Sequence, residues 1–380
     1  MKNIVFFSPY YDPYLSGLTI YPKYLFEHLK KNSRIIILTF LHQKNLKKIE
    51  KKGNITIIRL NYWFRLSKGF IAPLSLIDFY RYSKGADIVL LNQPNFEGLG
   101  LALIAFLMKK KIVSIVHCQV FLPRLFFNII INFFLNLCLY CQLFLSTIIL
   151  PTTEDYAFSL PWGKIFKYKI KAILPLIKKP LISQVLFKKL KNEKEKYWIG
   201  YVGRIASEKG IEYLIQSINE SDNLKNNIEL VFAGPYGKDV SGEDGYYQKI
   251  ISLVKNNKIK YRFFGNLSSG DLGAFYKTID LLVLPSINQT EAFGMVQAEA
   301  MLFGIPVIAS NLPGVRIPIK LTKMGKLVEP RNSDQISQAI LEILKNKGQF
   351  SNKKLVDNAQ KIFNINKVYK FYENIIKNEV

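Results

Sequence analysis

Three stretches in the second half of the chain hold residues whose types and spacing can do chemistry. In Val202-Gly-Arg-Ile-Ala-Ser-Glu-Lys-Gly210 a strand is expected to end at Gly203 and a helix to start near Ser207, a good N-cap. Arg204 and Lys209 bracket that loop. An anion there would meet two cations and the free N–H groups of a helix start. Two solvated loop charges explain this first stretch equally well when it is taken alone.

The second stretch, Leu282-Val-Leu-Pro-Ser-Ile-Asn-Gln-Thr-Glu291-Ala-Phe-Gly-Met-Val-Gln-Ala-Glu299, reads as a strand to Ser286, a polar loop and a helix from near Phe293. Carboxylates accept pairs of hydroxyl protons, which suits a polyol. Glu291 and Glu299 stand eight residues apart. On a helix that is ~12 Å, about the reach from a sugar ring to a ribose across a diphosphate. Gly294 at the helix start admits a phosphate close to the backbone. Glu299 sits among Ala298, Ala300 and Met301, where an unpaired charge is costly. The third stretch, Gly304-Ile-Pro-Val-Ile-Ala-Ser-Asn-Leu-Pro-Gly-Val-Arg316, is a buried strand and a Pro-Gly turn placed to close over a ligand.

The first half offers less. His117 is expected at the end of a strand, where it could hydrogen-bond a sugar hydroxyl or help an acceptor lose its proton, although a lone His is more often structural. Cys138 and Cys141 form a Cys-x-x-Cys inside an apolar, helix-like run with no second ligand pair, so core packing is the better account. No Asp-x-Asp stands on a loop to hold a metal.

These residues need a scaffold of alternating elements. Apolar runs at 4–8, 34–40, 55–60, 87–92, 112–117 and 147–151 read as strands, with a helical periodicity at 19–31. A Lys-rich, Pro-punctuated stretch at 178–196 reads as a linker. Strands resume at 198–203, 229–234, 260–264, 280–285 and 306–309. Continuous apolar strands separated by helices imply parallel sheets covered on both faces, with ligands at strand carboxyl ends. The chain therefore divides into an N-terminal domain over 1–180, a C-terminal domain over 195–365, and a C-terminal helix over 366–380 that returns to the N-terminal domain.

Charge is distributed unevenly over the 380 residues, which carry a formal net +25. Residues 1–190 hold 27 Lys and Arg against 8 Asp and Glu, a net of +19, and the rest of the chain only +6. With 49% hydrophobic residues the chain is no disordered basic tail, and three cysteines do not make a disulfide scaffold. The apolar stretch before Pro9 is shorter than a signal peptide requires, so a cytoplasmic start is expected. Residues 125–150 are free of charge, but Asn128, Asn132 and Asn136 stripe one helix face. A buried or membrane-lying helix fits that stretch better than a span.

Taken in order, Arg204 with Lys209, the Glu-x7-Glu at 291 and 299 with Phe293-Gly294, and the Gly304-x-Pro-Val strand resemble the retaining GT-B glycosyltransferases of family 4. The resemblance implies an α/β fold of two doubly wound Rossmann-like domains facing across a cleft. It implies that Arg204 and Lys209 hold the donor diphosphate, Glu291 the donor sugar and Glu299 the nucleotide ribose. Phe293, Gly294 and Met295 would lie along the donor, and Leu267, in the loop after the 260–264 strand, against the base. Gly17 ends the loop Ser8-Pro-Tyr-Tyr-Asp-Pro-Tyr-Leu-Ser-Gly17, placed like the family's glycine loop though with one glycine where two often stand. Val116-His-Cys-Gln-Val-Phe-Leu-Pro123 is similar to a His-Cys-Asp segment of members that build lipid-linked or cell-surface glycans, with Gln119 in place of the Asp, and Thr152-Thr-Glu-Asp-Tyr156 to their cleft edge.

The resulting expectation is a sugar transferase whose catalytic groups are Glu291, His117, Arg204 and Lys209. No cofactor and no metal are expected; the nucleotide-diphospho-sugar is a substrate. Its partners would be that donor, a lipid-linked or membrane-associated glycan acceptor and an anionic membrane surface, on the cytoplasmic face of the plasma membrane. Competing readings are a nucleotide-sugar epimerase of the same fold, and a basic nucleic-acid or membrane binder without catalysis. The lack of aromatics clustered among the basic residues argues against nucleic acid.

Overall fold

A computed structural model describes residues 1–14, 17–66, 69–120, 126–240 and 243–377, with the side chains of 66 and 126–128 left out. Residues 15–16 of the glycine loop, 121–123 of the His-Cys-Gln segment and the Asn128 side chain therefore lie outside the described residues. The chain forms two units, Met1–Leu176 with Ile365–Val380, and Ile177–Asn364.

The first unit starts with β1 (Lys2–Phe7), α1 (Gly17–Leu29), β2 (Ser33–Phe40), β3 (Ile49–Lys52) and β4 (Ile55–Leu60). A short hairpin, β5 (Phe64–Leu66) and β6 (Gly69–Ile71), leads to α2 (Ser75–Ser83), β7 (Ile88–Gln93), α3 (Gly98–Leu107) and β8 (Lys111–Val116). Then come α4 (Phe126–Leu145), β9 (Ile148–Pro151), α5 (Glu154–Phe158) and α6 (Pro161–Ile165). Among the described residues the sheet order is β3-β4-β2-β1-β7-β8-β9, and the β3–β4 pair alone is antiparallel. The inner strands are apolar on both sides because helices cover both faces. Ile4, Phe6, Ile35 and Ile37 pack toward α1; Val5, Phe7, Leu38 and Phe40 pack toward α2 and α3.

The second unit comprises α7 (Gln184–Glu193), β10 (Tyr197–Val202), α8 (Ile211–Asn219), α9 (Asp222–Asn227), β11 (Ile228–Ala233), α10 (Asp244–Asn256), β12 (Tyr261–Phe263) and α11 (Ser269–Thr278). It continues through β13 (Leu281–Leu284), α12 (Met295–Leu302), β14 (Val307–Ser310), α13 (Ile317–Thr322), β15 (Gly325–Val328), α14 (Ser333–Lys345), α15 (Lys347–Phe350) and α16 (Lys353–Ile362). Its described strands are all parallel, in the order β12-β11-β10-β13-β14-β15. That is the doubly wound nucleotide-binding order. The final helix, α17 (Ile365–Lys377), buries Val368, Tyr372, Ile375 and Ile376 in the core of the first unit.

One expectation fails here. The 178–196 stretch is no bare linker, because α7 occupies most of it. Ser183 caps α7 by accepting from the Leu186 N–H, and its own N–H donates to the Gly270 carbonyl at the start of α11.

Candidate functional site

In a doubly wound sheet, ligands gather outside the strand carboxyl ends where the order reverses. In the second unit that point lies between β10 and β13, so the loops 203–210 and 285–294 are its walls. The Ile287 N–H donates to the Glu208 carbonyl at 3.0 Å and locks the loops together. Arg204, Lys209 and Glu291 stand on them.

The local structure differs from the expected helix starts. Ser207 does not cap a helix; it opens a single 3-10 turn, and its N–H and hydroxyl both donate to Glu243. Gly210, left-handed at φ 63°, ends the turn, and α8 starts at Ile211. Likewise α12 begins at Met295 rather than Phe293, because Gly294 is left-handed at φ 73° and forms the cap. Glu291 is thus on the loop, and the helical spacing reckoned from Glu291 to Glu299 applies only from Met295 onward.

Lys209 Nζ donates to Glu291 Oε2 at 2.6 Å, with both side chains largely buried (14% and 18% exposed). The other carboxylate oxygen, Oε1, accepts from the Gly294 N–H at 3.0 Å. Glu291 therefore fills an anion seat made of one ammonium and the amino end of α12. Gly294 holds a left-handed φ of 73°, which favours glycine, and a Cβ there would sit 2.4 Å from a Leu284 methyl. Arg204 lies more openly, donating to Glu208 Oε1 at 2.8 Å. Gln297, fully buried, donates to the Phe293 and Val315 carbonyls and thereby ties the start of α12 to the Pro-Gly loop. Phe293 is buried and meets the Phe363 ring, a packing position; Met295 is the half-buried first residue of α12.

Glu299 lies one turn further along α12. Its carboxylate accepts from the Tyr276 hydroxyl at 2.8 Å, and among the described residues no cation pairs with it. Burial pushes its pKa up to about 7, a shift that the Tyr276 hydrogen bond partly opposes. The ends of β12, β11 and β10 are joined through glycines: Gly203 N–H donates to Ala233, and Gly234 N–H to the Gly265 carbonyl at 2.8 Å. A Cβ on Gly234 would come within 2.2 Å of the Gly203 oxygen. Leu267 lies half-buried in the loop after β12, two residues beyond Gly265.

In the first unit the order reverses at β1 and β7. Asn92, near the end of β7, donates through Nδ2 to Ser8 Oγ and to the Leu18 carbonyl, at 3.1 and 3.0 Å. Its Oδ1 is therefore the acceptor in the 2.7 Å contact with His117 Nε2, which makes Nε2–H the donor and leaves the lone pair on Nδ1. Burial lowers the His117 pKa to about 4, so the ring is neutral at ordinary pH. Gly17 is the exposed first residue of α1, beside Leu18. His117 thus joins Ser8 and the start of α1 through Asn92. Gln119 has a structural part: its amide donates to Asn136 and its oxygen accepts from the Trp162 indole. Thr153 caps α5. Among the described residues Cys118, Cys138 and Cys141 form no disulfide.

Asn92, Gln297, Tyr276 and Gly234 were missed in the sequence. Only Asn92 carried a local signal, a polar residue at the end of a buried apolar strand.

The two doubly wound units define the GT-B fold. The chain superimposes over 100% of its length on Anabaena HepE, solved in complex with UDP, with a TM-score of 0.78 and 16% identity, covering 100% of that chain. Residues 183–362 match the family described as glycosyl transferases group 1. That segment is a little under half of the chain. A glycosyltransferase of unassigned role from Methanocaldococcus jannaschii is 34% identical over 182 residues, 47% of this chain and 43% of that protein. The lipopolysaccharide 1,2-N-acetylglucosaminetransferase of Salmonella typhimurium is 34% identical over 149 residues, 39% of each chain. The chain thus spans about two fifths of the length of the curated relatives it matches.

Proposed function

We propose that the protein is a retaining glycosyltransferase that moves a sugar from a nucleotide-diphospho-sugar to a lipid-linked or membrane-associated glycan at the cytoplasmic membrane face. The observation that carries this reading is the anion seat at the switch point, where Lys209 and the Gly294 N–H converge on one carboxylate. The donor diphosphate would take that seat, with Arg204 beside it, and Glu291 would turn to the sugar hydroxyls. Glu299 would accept the ribose hydroxyls. HepE, with its UDP complex, supports a nucleotide-sugar donor. The Salmonella relative supports a surface polysaccharide as product.

In the proposed reaction the bond from the anomeric carbon to the diphosphate oxygen breaks as the acceptor oxygen bonds to the same face. The acceptor proton passes to the departing diphosphate oxygen, so the chain need supply no nucleophile. Arg204, Lys209 and the amino end of α12 would stabilise the charge developing on the leaving group, in place of a metal. His117, neutral and with Nδ1 bearing its lone pair, would accept a hydrogen bond from a sugar hydroxyl.

The test is to follow α-linked nucleotide-sugars by proton NMR, with water or a membrane extract as acceptor. Release of the sugar first as its α anomer agrees with retention. The β anomer would overturn retention, and no cleavage of any donor would overturn the transferase reading.

A further inference from the structure

The helix α4 is turned inside out. Its polar side chains face the protein: Asn136 accepts from Gln119, and the fully buried Gln142 accepts from Gln93 and donates to the Asn95 carbonyl. Leu139 and Leu143 are buried beside them, but Phe133, Phe134 and Phe144 face solvent at 63%, 57% and 66% exposed. A helix in water shows the reverse arrangement. Beside it α3 exposes Phe106 and Leu107, and α2, packed on α3, exposes Tyr80. α2 packs on α3 and α3 on α4, so exposed apolar side chains stand on three neighbouring helices. Solitary exposed apolar residues need no account, but a continuous layer does.

Its rim is cationic. Lys109 follows α3, and Lys110 reaches back to the Lys84 carbonyl at the end of α2. Lys169 lies over the Phe144 ring and donates to the Phe144 carbonyl, while exposed Lys164 stands in the last turn of α6 and exposed Lys167 follows it. Between Glu97 and Glu154 the sequence has no acidic residue, and none again between Asp155 and Glu193.

We infer that the α2–α3–α4 layer is a docking surface for an anionic lipid bilayer, in which α4 lies flat with its phenylalanines among the acyl chains and the lysines at the headgroups. The charge decides for lipid over a second copy of the chain, because two such faces would bring their lysine rims together. Among the described residues no helix is long and apolar enough to cross a membrane. The inference deepens the proposed membrane-borne acceptor and names the surface that reaches it.

The experiment is flotation of the full chain with phosphatidylglycerol–phosphatidylcholine vesicles and with phosphatidylcholine alone, alongside thermal stabilisation by nucleoside diphosphates. The intact chain should float with the anionic vesicles only. F133E/F134E should weaken binding by more than about tenfold, and K109E/K167E by about fivefold per lysine together with a shallower salt dependence. Both variants should keep the nucleotide stabilisation of the intact chain. That stabilisation reports the second unit, so lipid docking and donor binding can fail separately. Full solubility beside anionic vesicles, unchanged flotation of F133E/F134E, or a solution dimer that F133E/F134E dissociates would each overturn the inference.

Discussion

Lys209 Nζ and Glu291 Oε2 are 2.6 Å apart, bridging the two loops at the switch point of the second sheet. A cation that is proposed to hold a phosphate is already holding a carboxylate. If the seat belongs to a diphosphate, the donor must displace Glu291 and so free it for the sugar.

Substitutions at this pair should therefore separate binding from turnover. Lys209→Ala is expected to weaken nucleoside diphosphate binding by about 10- to 100-fold, the value of a charged hydrogen bond in a largely buried site. Glu291→Gln vacates much of the competing charge, so nucleoside diphosphate affinity should hold or rise while sugar transfer falls. Calorimetry with the bare nucleotide and turnover of its sugar conjugate check both.

Glu299 gives a prediction in pH. Its folded-state pKa of about 7 lies above that of an unfolded glutamate, so the folded state holds a proton the unfolded state has lost. Its contribution to stability is present at low pH and is lost as pH rises from about 4.5 to 7. Glu299→Gln should lose less stability across that window in melting curves taken at each pH. Ribose hydroxyls donate to the ionised form, so nucleotide affinity should rise with pH through 7 in the wild type and stay flat in Glu299→Gln. Tyr276→Phe removes a hydrogen bond that favours the ionised form, and should move the rise to higher pH.

His117 has the opposite sign. Its folded-state pKa of about 4 is below that of a free histidine, so its contribution is present above pH 6.5 and lost as pH falls toward 4. Titration of His117 should therefore leave no inflection in activity between pH 6 and 8. Asn92→Leu breaks the bonds to Ser8 and Leu18 and should cut transfer more than nucleotide binding; equal loss of both would contradict the assignment of Asn92 to the first unit's site.

Gly234 tests the strand-end backbone. Gly234→Ala places a methyl group against the Gly203 oxygen at a φ of 134°, and should cost about 1–3 kcal/mol in chemical denaturation.

The buried strands were legible because two-sided burial writes them as apolar runs. The elements that were missed, β3, the β5–β6 hairpin and β15, are short and rich in Lys or Gly, and their pairing comes from neighbours rather than pattern. Arg204, Lys209 and Glu291 were legible from their place after strands. Their mutual pairing was not, since it depends on two loops meeting across a sheet. The helix starts near Ser207 and Phe293 were read from side-chain preference, whereas glycines in the left-handed region set both. Tyr276 and Gln297 look like ordinary helix residues until the fold places them against Glu299 and the Pro-Gly loop.

The second unit is proposed to seat a nucleoside diphosphate between Lys209 and the amino end of α12. The most direct measurement is the thermal shift of the full chain with a panel of nucleoside diphosphates, repeated on Lys209→Ala and Glu299→Ala. The account predicts that at least one of them raises the wild-type Tm by several degrees and that both variants lose most of that shift. No shift with any nucleotide, or an equal shift in Lys209→Ala, would contradict it.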